Sequence, residues 1–528
     1  MRRSAPPIRW VPTTSGDPFE VDSAAVSHPQ GSPSISPAST ARHRSSAVVL
    51  LVRGHGDSLE TFWVLRSEAV SYMPGFRAFV GGTVDPEDAG LPIDHAPDAG
   101  RRELMACALR EAFEEAGVLV GVTDAGPPER LAEARRRLLA GETTFAALAR
   151  EHGWRFDGEA LAYAGHWVSP AFAPRGFETD YFLARVPEGQ EASVRVGELA
   201  EGDWVRPRVA LERWQVGEET FAAPILWSLI AMAEGETDLA ARLVDAPRRS
   251  GSSVRRIELK WGIVLHPMKT RPLPPATHTN AYLVGESEMA LVDPGSGEPA
   301  ELDALFELIE ALKRDGRRVT TILLTHHHPD HIGGLAAARK RLGVPVAAHV
   351  ETARHVRLDV VLKDGDWIPL VPGKGSWNLR AIHTPGHAQG HLCFLHPRTR
   401  SLLTGDHVTG GQGTVIIDPP EGDMAAYVGS LERLLEEPVE TLFPGHGPPQ
   451  GAAARRIRGL IEHRRTREAQ VIAALAGTPR DLRTLVARAY DDTPHELWPY
   501  AQRSLLAHLI KLEREGRARR DGEQWRAV

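Results

Sequence analysis

Five metal-competent side chains fall within six positions in Thr325-His326-His327-His328-Pro329-Asp330-His331. They follow the apolar run Ile322-Leu323-Leu324, so the cluster sits where a buried strand hands over to a loop and then to the helix opened by Ile332-Gly333-Gly334. Imidazole and carboxylate groups bind divalent transition metals, and alternation along an extended segment sends His326 and His328 to the same side. Asp330 and His331 follow as the chain turns, so one loop seeds two sites. A solvated histidine tract is the competing reading, but it explains neither the preceding strand nor the following Gly-Gly. Three residues of the same kinds close short apolar runs downstream: His387 in Ile382-His383-Thr384-Pro385-Gly386-His387, Asp406 after Leu402-Leu403-Thr404-Gly405, and His446 after Leu442-Phe443-Pro444-Gly445. His327, His383, His391 and His407 lie nearby. They are expected to hold ligating rings or to serve the fold, since a ligating imidazole needs its second nitrogen held.

A second chemistry lies upstream. Glu111, Glu114 and Glu115 in Arg110-Glu111-Ala112-Phe113-Glu114-Glu115-Ala116-Gly117-Val118 are spaced to share one helix face. An isolated acidic face is ordinarily a solvated one. Here Phe79-Val80-Gly81-Gly82-Thr83-Val84-Asp85-Pro86-Glu87-Asp88 precedes it and places a tight glycine loop before the helix.

The elements that must position these residues exceed one ordinary core, because 528 residues call for several domains. The apolar fraction of 42% supports packed cores. Residues 1–45 are rich in Ser, Pro, Thr and Ala and cannot repay the entropy of ordering, so a disordered leader is expected. Order is expected to start with a strand at Ala47–Val52 paired with Phe62–Leu65, followed by helices from Arg130 to Leu139 and from Ala210 to Leu243. The polar stretch Arg248–Ser253 reads as a linker before a strand at Ile257. No run of 18 apolar residues, no apolar segment after Met1-Arg2-Arg3, and only two well-separated cysteines, Cys107 and Cys393, argue for a reducing cytoplasmic location without a membrane partner. The net charge of −7 gives no reason for whole-chain nucleic-acid affinity. Residues 451–528 nevertheless carry 16 Lys/Arg against 10 Asp/Glu. Such a tail either contacts phosphates or forms a helical cap.

The His-Asp pattern resembles the metallo-β-lactamase superfamily, HxHxDH followed by H, D and H, at every ligand position. That resemblance implies that His326, His328 and His387 hold one metal, that Asp330, His331 and His446 hold a second, and that Asp406 bridges them, with Asp330 also catalytic. Zinc is expected, manganese or iron being compatible with the same ligand types. Two divalent ions roughly 3.5–4 Å apart acidify a shared water and polarise the bond it attacks. The stretch from Gly411 to Met424 and the helix with Tyr427, Leu431 and Leu434-Leu435 resemble the β-lactamase-like protein 2 branch, whose members carry a winged-helix tail. Segments Ile461–Glu468 and Leu505–Glu513 read that way. The likeness runs from about 257 to 520. In that family some members cleave single-stranded RNA, and relatives in the superfamily hydrolyse thioesters.

The upstream motif is similar to a Nudix box. The resemblance implies magnesium or manganese held by Glu111, Glu114 and Glu115 against a diphosphate, with Glu114 and Glu115 also catalytic. Ala112 departs from the hydrophobic position of the pattern, and Asp88 stands where the family has glutamate. Residues 89–109 separate Asp88 from Arg110, 21 residues in place of the family's seven, an insertion of 14. Such a split box, with Trp167–Phe182, resembles the branch that includes peroxisomal coenzyme A diphosphatases.

The expected architecture is therefore a multidomain α+β chain: leader 1–45, a Nudix α/β/α sandwich over 46–247, linker 248–256, an αββα metallo-β-lactamase fold over 257–452, and a winged-helix tail over 453–528. The expected function is a bifunctional metal-dependent hydrolase. It pairs a Nudix diphosphatase with a dinuclear-zinc hydrolase that uses a bridging hydroxide on a thioester or phosphoester. The alternative is an RNA-processing endoribonuclease acting on single-stranded RNA, with a nucleotide-sensing or degenerate Nudix domain. Small-molecule diphosphates or thioesters are the expected partners, and a homodimer is open.

Overall fold

The computed structural model describes residues 44–70, 72–169, 176–195, 197–250, 257–273, 276–370, 377–411 and 415–528. Of the expected leader, residues 1–43 lie outside this set, and residues 44 and 45 already belong to the strand Arg44–Arg53. Residues 170–175 of the upstream aromatic stretch and 412–414 of the loop after Asp406 also lie outside it.

Arg44–Arg53 organises the first unit because apolar residues occupy both of its faces. Ala47, Val49 and Leu51 enter one core with the helix Ala99–Ala116, while Leu50 and Val52 enter another with Trp214, Phe221 and Leu229. The strand pairs antiparallel with Glu60–Arg66 and Val80–Thr83 and parallel with Phe177–Arg185, so helices cover both faces of a seven-stranded sheet. The helical span expected from Ala210 to Leu243 consists of three helices, Pro207–Gln215, Ala223–Ala233 and Leu239–Ser250. Apolar residues keep helical spacing across both breaks, but Gly217 and Gly235 take φ of +80° and +118°, which no helix continues. The last helix also absorbs residues 248–250 of the expected linker, whose residues 251–256 lie outside the described set. The insertion after Asp88 becomes a short bridge, Ile93–Asp94 against Phe156–Asp157, and an extension of the acidic helix back to Ala99. Asp98 caps that helix by accepting from the Arg101 amide at 2.8 Å.

The second unit packs two sheets face to face. The first, of seven strands, runs from Ile257–Lys260 to Val360–Leu362 in chain order, and the second, of five, runs from Trp367–Leu370 to Thr441–Pro444. Period-two alternation decides which side chain goes where. Ile263, Leu265, Tyr282 and Leu323 point between the sheets at Leu379, Phe394 and Phe443, while Val264, Leu283 and Ile322 point at the helix Pro299–Arg314. The helix Met424–Leu434 covers the second sheet through Tyr427 and Leu431.

The tail comprises Ala453–Leu475, Leu482–Ala489, Trp498–Arg514 and the hairpin Ala518–Asp521 with Gln524–Ala527. Val471, Leu485, Leu505, Leu509 and Trp525 form its own core, and Leu460, Ile461 and Ala507 pack with Tyr427 and Leu431 instead. The first and second units also touch. Phe76 is 1% exposed within the core between the two sheets, a burial worth about 2 kcal/mol, and the Gly451 amide donates to the Pro74 carbonyl at 2.9 Å. Among the described residues no helix is long and apolar enough to cross a membrane.

Candidate metal centres

Strand ends deliver the histidine centre. After Arg318–Leu323 the chain leaves the sheet, and Pro329 starts a short helix, Pro329–Ile332, earlier than the Ile332-Gly333-Gly334 opening expected. His326, His328 and His387 each aim a ring nitrogen into one space, with donor atoms within 4.8 Å of one another; Asp330, His331 and His446 do the same in a second space. His387 Nε2 lies 3.0 Å from His328 Nδ1, and His331 Nε2 lies 3.4 Å from His446 Nε2. Asp406 stands between the groups. Its Oδ1 is 3.1 Å from His331 and 3.3 Å from His446, and its Oδ2 is 3.7 Å from His387. Gly445 permits this approach, since a Cβ there would stand 2.7 Å from His331 Cε1 and 2.8 Å from Asp406 Oδ1.

The electrostatics demand positive charge in the second space. Burial pushes the His446 imidazole down, but the Asp406 and Asp330 carboxylates outweigh it and hold the ring up at about 10. His331 is buried too, and Asp406 with Asp293 holds it well above its usual value. In the first space, burial keeps His326 far below the usual histidine range and His387 at about 4, so both rings are neutral and offer lone pairs. His326 Nε2 and Asp406 Oδ1 are buried polar atoms without a hydrogen-bond partner. That donor set fits two divalent cations.

The outer partners were not singled out from sequence. Asp293 accepts from the Thr325 amide (2.8 Å), the Thr325 hydroxyl (2.6 Å) and His331 Nδ1 (2.9 Å), which turns His331 Nε2 inward. It ends the apolar strand Glu288–Val292 at φ +49°, a conformation aspartate tolerates better than most residues. An aspartate between that run and Pro294-Gly295 was the available signal. His387 Nδ1 donates to the Ile416 carbonyl at 3.0 Å, His446 Nδ1 to the His278 carbonyl at 2.8 Å, and Glu421 faces both His328 Nε2 and His327 Nε2. Of the four unplaced histidines, His391 accepts from the Asp406 amide at 3.2 Å, and His327 stacks on His355 at 3.6 Å. His383 stacks on His349, and His407 packs on Tyr427.

The glutamate face is arranged differently. The insertion does not separate the two halves of the motif: Arg110 Nε donates to Asp88 at 2.8 Å, and its Nη1 donates to Glu111 at 2.7 Å and to Glu114 at 3.2 Å. Glu115 turns away to accept from the Gly81 amide at 2.9 Å. The three glutamates therefore do not converge as the histidines do. Burial raises Glu111 to about 7 and Glu115 to about 8, so this pocket also resists unpaired negative charge. A cleft of 330 Å³ opens on Asp88, Arg110 and Glu114, with Thr143, Thr144 and Phe145 opposite.

Fold and site together define a metal-dependent hydrolase with two catalytic folds. The Metallo-beta-lactamase superfamily model matches residues 274–446, the Beta-lactamase associated winged helix domain matches 482–525, and the NUDT19 Nudix domain matches 99–232. A Beta-lactamase-like protein 2 homolog of Drosophila melanogaster is 32% identical over 254 residues, 46% of this chain and 84% of its own length. An Atrochrysone carboxyl ACP thioesterase of Aspergillus chevalieri is 30% identical over 199 residues, 37% of this chain, and the chain spans 60% of that protein's length. A NUDIX hydrolase structure from Alicyclobacillus acidocaldarius is 27% identical, covering 38% of this chain and 97% of its own, with a TM-score of 0.34. The chain belongs to the metallo-β-lactamase superfamily, in the β-lactamase-like protein 2 branch, with a Nudix domain ahead of it.

Proposed function

We propose that the chain is a bifunctional hydrolase: a Nudix diphosphatase joined to a dinuclear hydrolase acting on a small-molecule thioester or phosphoester. The observation that carries the second half is Asp406 facing both histidine groups at once. In this reading His326, His328 and His387 hold one ion, Asp330, His331 and His446 the other, and Asp406 both. Bound zinc, or manganese or iron, would supply Lewis-acid polarisation and a water acidified toward neutrality. Asp293 keeps His331 in the tautomer that turns Nε2 inward, and the Ile416 carbonyl does the same for His387. Asp330 is more open to solvent than Asp406, 18% against 12%, so we assign it the proton of the reaction as well as a ligand role.

In the Nudix domain Glu111, Glu114 and Glu115 would hold magnesium or manganese in place of Arg110 and the Gly81 amide, and Glu114, which lines the cleft, would act with Glu115 on a diphosphate. The endoribonuclease alternative needs a free basic face on the tail. Two of the tail's arginines, Arg503 and Arg514 of the helix Trp498–Arg514, pair with Asp418 and Asp423. Assays of purified protein on acyl-coenzyme A, coenzyme A and single-stranded RNA test the reading. Glu114→Gln should abolish diphosphate hydrolysis and spare the second reaction, and cleavage of RNA alone would reject it.

A further inference from the structure

The loop 415–423 touches two of the three imidazoles in the first space. Ile416 offers its carbonyl to His387 Nδ1 at 3.0 Å, and Glu421 turns its carboxylate to His328 Nε2 at 3.5 Å. The loop is tied to the same place by two further bonds: the Asp423 amide donates to the Gly386 carbonyl, next to His387, and Gln389 donates to the Glu421 carbonyl. Its other side is gripped by the tail. Arg464, 3% exposed on the helix Ala453–Leu475, donates to the Val415 carbonyl and lies over the Tyr427 ring at 5.2 Å. Arg503 reaches Asp418 at 3.0 Å, and Arg514 pairs with Asp423.

We propose that the tail is a positioning element of the first ion site: Arg464, helped by Arg503 and Arg514, clamps the 415–423 loop and thereby holds the rings of His387 and His328. The inference rests on the dinuclear assignment and adds an asymmetry to it. The second triplet takes its outer partners elsewhere, from Asp293 and the His278 carbonyl. Magnitude ranks the three arginines. The Arg503 and Arg514 side chains are 53% and 63% exposed, so water screens their pairs, whereas Arg464 is buried and its loss leaves a carbonyl unserved.

The test is stepwise zinc release from the full-length protein into a chromophoric chelator, for wild type, Arg464→Met, Arg464→Lys and the Arg503→Gln/Arg514→Gln pair. Arg464→Met should weaken one ion by roughly 10–100-fold and leave the other within about threefold, the usual span for lost outer-shell support. Lysine should recover part of that, and the exposed pair should lose only a few-fold. Glu421→Gln, which acts at the other end of the loop, should weaken the same ion and guards against misfolding of the arginine variants. Equal weakening of both ions, or wild-type affinity for both in either Arg464→Met or Glu421→Gln, overturns the proposal. A wild-type protein that binds fewer than two ions overturns the dinuclear assignment itself.

Discussion

In the C-terminal centre five imidazoles and two carboxylates already point at one another, whereas in the N-terminal centre Asp88, Glu111 and Glu114 point at an arginine and Glu115 at a backbone amide. Both pockets are buried enough to shift their groups strongly, yet they balance charge in opposite ways. The histidine centre holds neutral rings in one space and carboxylate-held cationic rings in the other, around the two faces of Asp406. The glutamate centre spreads its negative charge over Arg110 and the Gly81 amide. The difference teaches that the first is preorganised for tightly held ions, and the second for a cation that must displace an internal partner. Magnesium, which keeps much of its own water, suits the second situation.

Three substitutions and one titration sharpen or break that contrast. The largest effect is expected for Asp406→Ala, which removes the group shared by both halves: turnover at the C-terminal centre should fall on the order of 10³-fold while diphosphate hydrolysis persists. A parallel loss of both activities, in steady-state assays, would mean that the centres are not separate. Next comes Arg110→Ala. Its guanidinium is 13% exposed beside Asp88 at 3%, so leaving that carboxylate unpaired should cost the N-terminal domain about 3 kcal/mol in denaturant melts. An unchanged midpoint would deny Arg110 its balancing role.

Asp293→Asn should act more mildly, weakening one ion by roughly 10–100-fold because His331 loses a charged acceptor. Competition with a chelator checks it, and equal weakening of both ions would contradict it. The smallest effect is one of pH. Glu111 and Glu115, raised to about 7 and 8, hold protons that ordinary glutamates in the unfolded chain, near 4.3, have lost. The metal-free N-terminal domain should therefore lose stability as pH rises from about 5 to 8. Magnesium must displace those protons, so its half-saturating concentration should fall by up to about a hundredfold per pH unit below pH 7, where both are held, and by up to about tenfold between 7 and 8. A flat titration of magnesium binding would remove the distinction drawn here.

Much of this was legible from residue order. His326, His328, Asp330 and His331 follow one apolar run, His387, Asp406 and His446 each follow another, and a sheet that buries those runs brings their ends to one edge. Glu111, Glu114 and Glu115 were readable as one helix face, and the tail's helices as a winged helix. What could not be read is what depends on distant contacts. Asp293, Glu421 and Arg464 act through groups 38, 93 and 49 positions away. The pairing of Arg110 with Asp88 across the insertion appears only once the helix extends back to Ala99. The breaks at Gly217 and Gly235 within the helical span from Ala210 to Leu243 were not legible, since apolar periodicity carries no record of a positive φ.

Metal content is the most direct test of the account. Wild-type protein reconstituted with zinc or manganese and dialysed against metal-free buffer should retain two transition-metal ions per chain. Glu114→Gln should also retain two, and Asp406→Ala fewer. One ion or none in the wild type, or two ions in Asp406→Ala, would contradict a dinuclear centre built around Asp406.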